Sequence, residues 1–281
     1  MSRTLQIRWI ATLSAAILLV IPSLATAQGG RHPRSDAAKR MWHPSKDSVA
    51  SVDDDDESVT LHFNSREDSL SWLRARNLAH KANGLRLVVS LQERHLWAIA
   101  GRDTLLSAPV AVAKGTTLEY GSKSWRFTTP RGMRTVLSKD ADPIWQPPEW
   151  LYAETAVENG LRLRRLNYGE KVHLDDGRVL TIVNGSAGLI DTDGAFGELP
   201  TDEHIVFGDY LYIPPMGSKN RKVEGELGKY KLSLGDGYLL HGTPDKQSIG
   251  MAATHGCIRL RDEDIEWLYD NVPVGTKVYI Y

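Results

Sequence analysis

The sequence predicts a mainly β protein with a short C-terminal helix and one inserted subdomain. After Gly84, three apolar segments, LRLVVSL, HLWAIA and TLLSAPVAVA, alternate with polar turns, as is typical of an antiparallel meander. KYKLSL and YLLHGT flank Gly235-Asp236-Gly237 and predict another hairpin, whose second strand ends at His241. Residues 145–205 interrupt this pattern and are too long for an ordinary connection, so they predict an inserted subdomain.

A helix is predicted before the first strand, over residues 65–82. Ser65 can cap its N-terminus, with Asp68 three residues later in a weak form of the capping box. Gly84 ends the helical pattern. The buried face is predicted from a partial apolar stripe, formed by Leu70, Leu73, Leu78 and Ala82.

The last twenty residues predict a short helix followed by a strand. Asp262 can cap the helix, and Pro273 follows its end. Its buried face would contain Ile265, Trp267 and Leu268, and TKVYIY would form the final strand. Within the insert, Asp176-Gly177 is a turn signal between two further strand-like segments.

The N-terminus has the three parts of a secretory signal. Arg3 and Arg8 precede an apolar run, and Ala25-Thr26-Ala27 is a typical cleavage site. The run is short for a membrane span, which needs about 20 residues, although an uncleaved anchor is the alternative. With no cysteine at the cleavage site, a lipid anchor is not expected. We therefore expect a signal peptide over 1–27, a disordered charged linker over 28–58 and a helical segment over 59–84.

Composition and cysteine content narrow the possible functions. The chain has 281 residues and a formal net charge of −1, which gives no indication of nucleic-acid binding. It has one cysteine, Cys257, and so can form no internal disulfide, even though export favours disulfides. A single cysteine in an exported protein is a buried core residue, an intermolecular linker or a reactive thiol. Nothing in the sequence indicates the oligomeric state.

The neighbours of Cys257 favour a reactive thiol. A thiolate is the nucleophilic form, and it requires a nearby base or positive charge. His241 stands at a predicted strand end, while His255 and Arg259 lie two residues on either side of the cysteine. Gly256 would allow a sharp turn whose amide groups could bind an oxyanion.

The segment HGTPDKQSIGMAATHGCIRL resembles the signature of L,D-transpeptidases with a YkuD-type catalytic domain. Its matching positions form three groups: His241, Gly242 and Thr243; Ser248, Ile249 and Gly250; and Thr254, His255, Gly256, Cys257, Ile258 and Arg259. Other segments extend the resemblance to about residues 85–151 and 206–281. It implies a YkuD-like β-sandwich catalytic domain over 85–281. The insert at about 146–203 lies outside the resemblance, and its length predicts a lid subdomain over the Cys257 cleft.

The resemblance also implies roles for the matching residues. Cys257 would be the nucleophile, His241 its base, and the Gly242 carbonyl the group that orients the imidazole. The amides of His255, Gly256 and Cys257 would be candidates for the oxyanion hole. Arg259 would bind the substrate carboxylate or support the loop.

Four further residues are predicted to contact substrate: Thr254 and Ser248 by the motif, and Trp150 and Tyr152 by their flat apolar faces at the entrance of the insert. Arg162, Arg164 and Arg165 are expected to offer charges to carboxylates. Packing of the two aromatic residues onto the core, with solvated arginines, is the alternative.

The function implied is that of an exported peptidoglycan L,D-transpeptidase of the periplasm or cell envelope, with no cofactor and no metal. It would transfer a stem peptide to an amine, giving a 3–3 crosslink, a D-amino acid exchange or attachment to an outer-membrane lipoprotein. Hydrolysis by the same fold, as an L,D-carboxypeptidase or amidase, is an alternative. Two others are a zinc site on His241, His255 and Cys257 and a non-catalytic protein that binds the cell wall.

Overall fold

The computed structural model describes residue 63 and residues 65–281 and is mainly β. The predicted signal peptide and linker lie outside these residues. The described part contains three α-helices, α1 (Arg66–Lys81), α2 (Glu149–Asn159) and α3 (Asp262–Asn271). None of its helices is long and apolar enough to span a bilayer.

The strands of the described part are β1 (Leu85–Ser90), β2 (His95–Ala100), β3 (Asp103–Pro109), β4 (Val112–Ala113), β5 (Thr117–Tyr120), β6 (Lys123–Arg126), β7 (Gly132–Thr135), β8 (Ser138–Ala141), β9 (Arg162–Arg165), β10 (Lys171–His173), β11 (Val179–Val183), β12 (Ser186–Ile190), β13 (Phe196–Glu198), β14 (Ile205–Phe207), β15 (Tyr210–Ile213), β16 (Tyr230–Ser233), β17 (Leu239–His241), β18 (Ala252–Thr254), β19 (Ile258–Arg259) and β20 (Lys277–Ile280).

Two sheets enclose the main core. One has the order β3-β2-β1-β20-β7 and the other β19-β17-β16-β8. Their facing side chains, together with those of α3, form one buried apolar cluster that includes Leu87, Val278, Leu240 and Ile265. The predicted meander β1-β2-β3 and the hairpin β16-β17 are both present and antiparallel. The predicted mainly β architecture is therefore confirmed.

Helix α1 covers the outer face of the five-stranded sheet. Ala75 and Ala79 pack against Val88, Trp97 and Tyr279. Because the sheet is covered on both faces, consecutive residues of β1 are buried, without the alternation of a strand that has one solvated face. The predicted cap is confirmed, since Ser65 Oγ accepts a hydrogen bond from the Asp68 amide at 3.1 Å.

The predicted buried face of α1 is wrong. Leu70, Leu73 and Leu78 are 39%, 44% and 47% exposed, and of the predicted stripe only Ala82 packs against the cluster. The small side chains of Ala75 and Ala79 allow the helix backbone to approach the sheet closely, and Trp72 fills the space beside them. Close packing therefore selected the face with alanines over the face with leucines.

Helix α3 follows the predicted position with one correction at its start. Ile265 and Leu268 are buried, as expected. Asp262 is the first helical residue, and the cap position is held by Arg261, which makes no side-chain capping bond. The carboxylate in the first turn still interacts favourably with the positive end of the helix dipole.

The insert is longer than predicted. The chain leaves and re-enters the main core at paired backbone hydrogen bonds between Trp145 and Val223. Strands β14 and β15 lie beyond residue 203, yet β15 pairs in parallel with β9 at the start of the insert. A second sheet, β10-β11-β12-β13, contains the expected turn at Asp176-Gly177, where Gly177 has φ of +86°. The insert thus has its own buried cluster.

Candidate active site

His241 and the Cys257 segment are brought together by two parallel strands. In the register of β17 and β19, His241 stands opposite Arg259, and Leu240 opposite Ile258. The Leu260 amide also donates to the His241 carbonyl at 2.9 Å. Cys257 immediately precedes β19, so the strand pairing places it at the same edge as the histidine.

His241 is buried and held in one tautomer. Its Nδ1 lies 2.6 Å from the Gly242 carbonyl oxygen. A carbonyl only accepts, so Nδ1 must carry the hydrogen, and Nε2 is left with its lone pair. Burial, with a smaller effect of the Arg259 charge, lowers the pKa of His241 to about 3. The imidazole is therefore neutral near pH 7 and can accept a proton at Nε2.

The Cys257 thiol is protonated in the resting site. Burial of the sulfur raises its pKa above the ordinary value, and this outweighs a backbone hydrogen bond at Leu239 and the Arg259 charge. Sγ also lies 3.9 Å from the Gly237 carbonyl oxygen in the β16-β17 turn. The site holds a neutral thiol near a neutral imidazole, so the proton has to move when the sulfur attacks.

The turn that leads into Cys257 is fixed by two threonines. Thr254 Oγ1 donates to the Cys257 carbonyl at 2.7 Å and accepts from the Gly256 amide at 3.2 Å. Thr129 Oγ1 donates to the Gly256 carbonyl at 3.0 Å. Gly256 has φ of +147°, and a Cβ there would lie 3.0 Å from Tyr238. Only glycine therefore fits this position without strain.

Arg259 lies between two carboxylates. Its guanidinium nitrogens are 3.8 Å from Glu226 and 3.7 Å from Asp245. Burial raises the pKa of Glu226, and the Arg259 charge opposes that rise. Arg259 thus supports the loops around His241, while its charge also acts on both His241 and Cys257.

His255 contacts the insert. Its Nε2 lies 2.8 Å from Glu154 Oε2 and 3.1 Å from Lys114 Nζ. The Trp150 ring stacks on the imidazole, with centroids 4.0 Å apart and planes at 20°. Phe127 meets it edge to face at 4.5 Å. Trp150 therefore packs on the loop that precedes Cys257, and its contact with substrate stays a prediction.

Three side chains predicted to contact substrate, those of Tyr152, Ser248 and Thr254, are buried in this structure. Tyr152 is 1% exposed and packs in the insert beneath the Arg221 guanidinium, at 4.7 Å. The Ser248 hydroxyl is buried and donates to the Asp245 carbonyl at 2.8 Å. Burial of these side chains argues against their direct contact with a substrate.

The arginines of β9 are paired within the insert. Arg162 contacts Asp209, Arg164 contacts Glu170, and Arg165 contacts Glu149. Their charges are therefore engaged by carboxylates of the insert itself. As for the zinc alternative, no group of three or more His, Cys, Asp or Glu residues with metal-binding geometry occurs among residues 63 and 65–281.

Three residues of the site were not identified from the sequence. Glu154 and Lys114 contact His255, and Thr129 holds the turn before Cys257. They lie far from the signature in the chain, and their residue types are common. Thr129 lies in a Thr-Thr-Pro segment over residues 128–130, outside the signature.

A family model described as the L,D-transpeptidase catalytic domain (YkuD) matches residues 84–280. The chain belongs to this family. Two similar relatives from Escherichia coli strain K12 bear the names "Probable L,D-transpeptidase ErfK/SrfK" and "Probable L,D-transpeptidase YbiS". The first is 47% identical over 57 residues, which are 20% of this chain and 18% of that relative. The second is 47% identical over 66 residues, which are 24% of this chain and 20% of that relative. The match thus spans about a fifth of each relative.

Similar solved structures include L,D-transpeptidases from Xylanimonas cellulosilytica and Enterococcus faecium. The first is 16% identical, with a TM-score of 0.38, over 72% of this chain and 62% of that one. The second, a C442S mutant, is 14% identical, with a TM-score of 0.36, over 71% of this chain and 50% of that one.

Proposed function

We propose that this L,D-transpeptidase family member uses Cys257 as a nucleophile on peptidoglycan stem peptides. The observation that carries the proposal is the state of His241. Its Nδ1–H is donated to the Gly242 carbonyl, its ring is neutral, and Nε2 is free to accept a proton beside the strand that follows Cys257. This is the arrangement that a general base for a thiol requires.

In the first half of the reaction, Cys257 Sγ attacks the carbonyl between the third and fourth residues of a stem peptide. The thiol proton passes to His241 Nε2 as the C–S bond forms. The C–N bond then breaks, and the D-amino acid leaves with that proton on its amine. A thioester between Cys257 and the stem remains.

In the second half, an acceptor amine attacks the thioester carbonyl and gives its proton to His241. The C–S bond breaks, and the thiol recovers the proton. The acceptors proposed are the side-chain amine of another stem, a free D-amino acid and a lysine of an outer-membrane lipoprotein. Water as acceptor would give the alternative hydrolase.

The oxyanion that forms in both halves needs backbone donors. The Gly256 amide donates to Thr254 in this structure, which supports the amides of His255 and Cys257 as the donors. For Thr254 the proposed role is correspondingly to shape this turn. For Arg259 it is to hold the loops and to bias the charge near the thiol.

Location is part of the proposal. A signal peptide over residues 1–27 would carry the catalytic domain to the periplasm or cell envelope, where its substrate occurs. A signal-peptidase assay in whole cells, with the N-terminus of the mature protein sequenced, tests this directly. An intact Met1 in the envelope fraction would contradict cleavage.

Incubation of the protein with purified muropeptides, followed by mass spectrometry, tests the reaction. We expect crosslinked or exchanged products, and a Cys257 adduct that lacks the terminal D-amino acid. Cys257→Ser should form no product while keeping the wild-type unfolding temperature. Product formation by Cys257→Ser at the wild-type rate would contradict the assignment, and hydrolysed stems alone would favour the hydrolase.

A further inference from the structure

One face of α2 forms a clamp on His255. Trp150 and Glu154 are four residues apart, so they project from the same side of the helix. Trp150 covers the face of the imidazole, and Glu154 meets its Nε2 edge. Lys114, from the catalytic core, completes the clamp by contacting both Glu154 and His255.

The three polar groups of the clamp cannot all bond to one another at once. A carboxylate only accepts hydrogen bonds, and an ammonium only donates them. His255 Nε2 can therefore donate to Glu154 or accept from Lys114, but it cannot do both. Which partner it takes determines which ring nitrogen carries the hydrogen in the neutral imidazole.

The geometry favours donation to Glu154. Glu154 Oε2 is nearer to Nε2, at 2.8 Å, than Lys114 Nζ, at 3.1 Å. Lys114 also has a strong partner of its own, because Nζ lies 2.5 Å from Glu154 Oε1. Burial alone would raise the pKa of Glu154, but the hydrogen bonds from His255 and Lys114 lower it to about 2. Glu154 is thus a carboxylate with one oxygen for each partner.

We propose that Glu154 is a positioning residue that fixes the tautomer of His255, so that the insert completes the active site. When the hydrogen is on Nε2, the other ring nitrogen, Nδ1, has a lone pair and can accept a hydrogen bond. Nδ1 is the nitrogen nearer the main chain, beside the Cys257 turn. In the proposed function, on which this inference rests, both the leaving and the attacking groups carry N–H bonds. Nδ1 as an acceptor can take a hydrogen bond from these N–H groups, whereas Nδ1–H would place two donors against each other.

Two variants test the tautomer: one is expected to move the hydrogen and the other to leave it in place. In Glu154→Gln, Lys114 loses its charged partner and can donate to Nε2, so the hydrogen should move to Nδ1. In Lys114→Met, the competing donor is absent, and the hydrogen should stay on Nε2. Long-range proton–nitrogen NMR of protein labelled with ¹⁵N-histidine distinguishes the two tautomers, and a His255→Asn spectrum identifies the signals.

Glu158→Gln is the matched control for Glu154→Gln. Glu158 lies one turn further along α2, is exposed and carries the same charge. The Glu154 charge contributes, after burial, to raising the pKa of Glu158, so the two carboxylates share one neighbourhood. Of these two carboxylates, Glu154 is the one that hydrogen-bonds to His255. Glu158→Gln should therefore keep the wild-type tautomer and the wild-type kcat.

Turnover of muropeptides gives the second readout. Glu154→Gln should lower kcat by about 10- to 100-fold, the scale of a misplaced reacting group, with a smaller change in KM. The inference is overturned if Glu154→Gln retains the Nε2–H tautomer, or if the tautomer changes and kcat does not. If the wild type makes no muropeptide product, the proposed function fails, and the NMR comparison still decides whether Glu154 sets the tautomer.

Discussion

The backbone of Gly228 lies directly against that of Gly242. A Cβ on Gly228 would stand 2.7 Å from Gly242 Cα and 2.8 Å from its carbonyl carbon. The Gly242 carbonyl is the group that holds the His241 ring, at 2.6 Å. The orientation of the candidate base therefore depends on Gly228, a glycine that lies outside the signature.

We expect Gly228→Ala to reduce activity through the position of His241. The added methyl group must displace the Gly242 backbone, and its hydrogen bond to His241 with it. Gly225→Ala is the matched control, because Gly225 also has a positive φ, of +77°, but its Cβ would meet nothing within 4 Å. Both variants should lose about 1–2 kcal/mol of stability from the backbone conformation.

Steady-state turnover and chemical denaturation of both variants check this prediction. Gly228→Ala should lose at least about tenfold in kcat, since a small displacement of a catalytic group is costly, while Gly225→Ala should keep wild-type turnover. Equal kcat in the two variants would contradict the role of the contact.

The Cys257 thiol should react slowly with iodoacetamide near pH 7. Burial raises its pKa, and the thiolate is the reactive form, so the alkylation rate should still be rising at pH 9. Because the chain has one cysteine, the mass added on alkylation reports the reaction of Cys257 alone. The dependence of the alkylation rate on pH in urea-unfolded protein is the reference for comparison. A rate that is already constant at pH 7 would instead reveal a preformed thiolate and contradict the neutral pair described above.

Folding stability should depend on pH through His241. Its folded pKa of about 3 lies below the ordinary 6.5, so the unfolded chain takes up the proton first as pH falls. The stabilisation is complete above about pH 6.5 and is lost toward pH 3. Between pH 7 and pH 4 this amounts to about 3 kcal/mol.

Denaturant unfolding of wild type and His241→Gln at pH 7 and pH 4 isolates that contribution. The wild type should lose about 3 kcal/mol more than the variant between the two pH values, since the other titrating groups are shared. His173→Gln, which replaces an exposed histidine, should follow the wild type. Parallel pH profiles for wild type and His241→Gln would exclude a neutral, buried His241.

Arg259→Met should destabilise the protein at neutral pH. The substitution leaves Glu226 and Asp245 without their shared cation, and burial already raises the pKa of Glu226. We expect a loss of about 1–3 kcal/mol, below the range for fully buried pairs because the contacts are long and partly solvated. Lowering the pH should recover part of the loss, because the raised pKa of Glu226 lets its carboxylate take up a proton sooner than an ordinary glutamate does. Arg259→Lys, which keeps the charge, should lose less, and an equal loss in both variants would contradict an electrostatic cause.

Features that depend on neighbouring residues can be predicted from the amino-acid sequence alone. The hairpin that ends at His241, the cap of α1 by Ser65, and the glycine that the Cys257 turn requires are all set within a few positions of the chain. Strand alternation, turn residues and capping are local physics, so a single sequence is enough to predict them. The signature from His241 to Arg259 is local in the same sense, because one hairpin strand and one adjacent strand contain it.

Contacts between residues that are distant in the chain become known from the three-dimensional fold. Glu154 and His255 are 101 positions apart, and no periodicity within either segment specifies their contact. The same reason explains the corrected predictions. Side chains of similar hydrophobicity, such as the leucines and alanines of α1, compete for burial, and close packing against a particular surface decides between them. Tyr152 is likewise buried by the fold of the insert, a surface that its own neighbours in sequence do not describe.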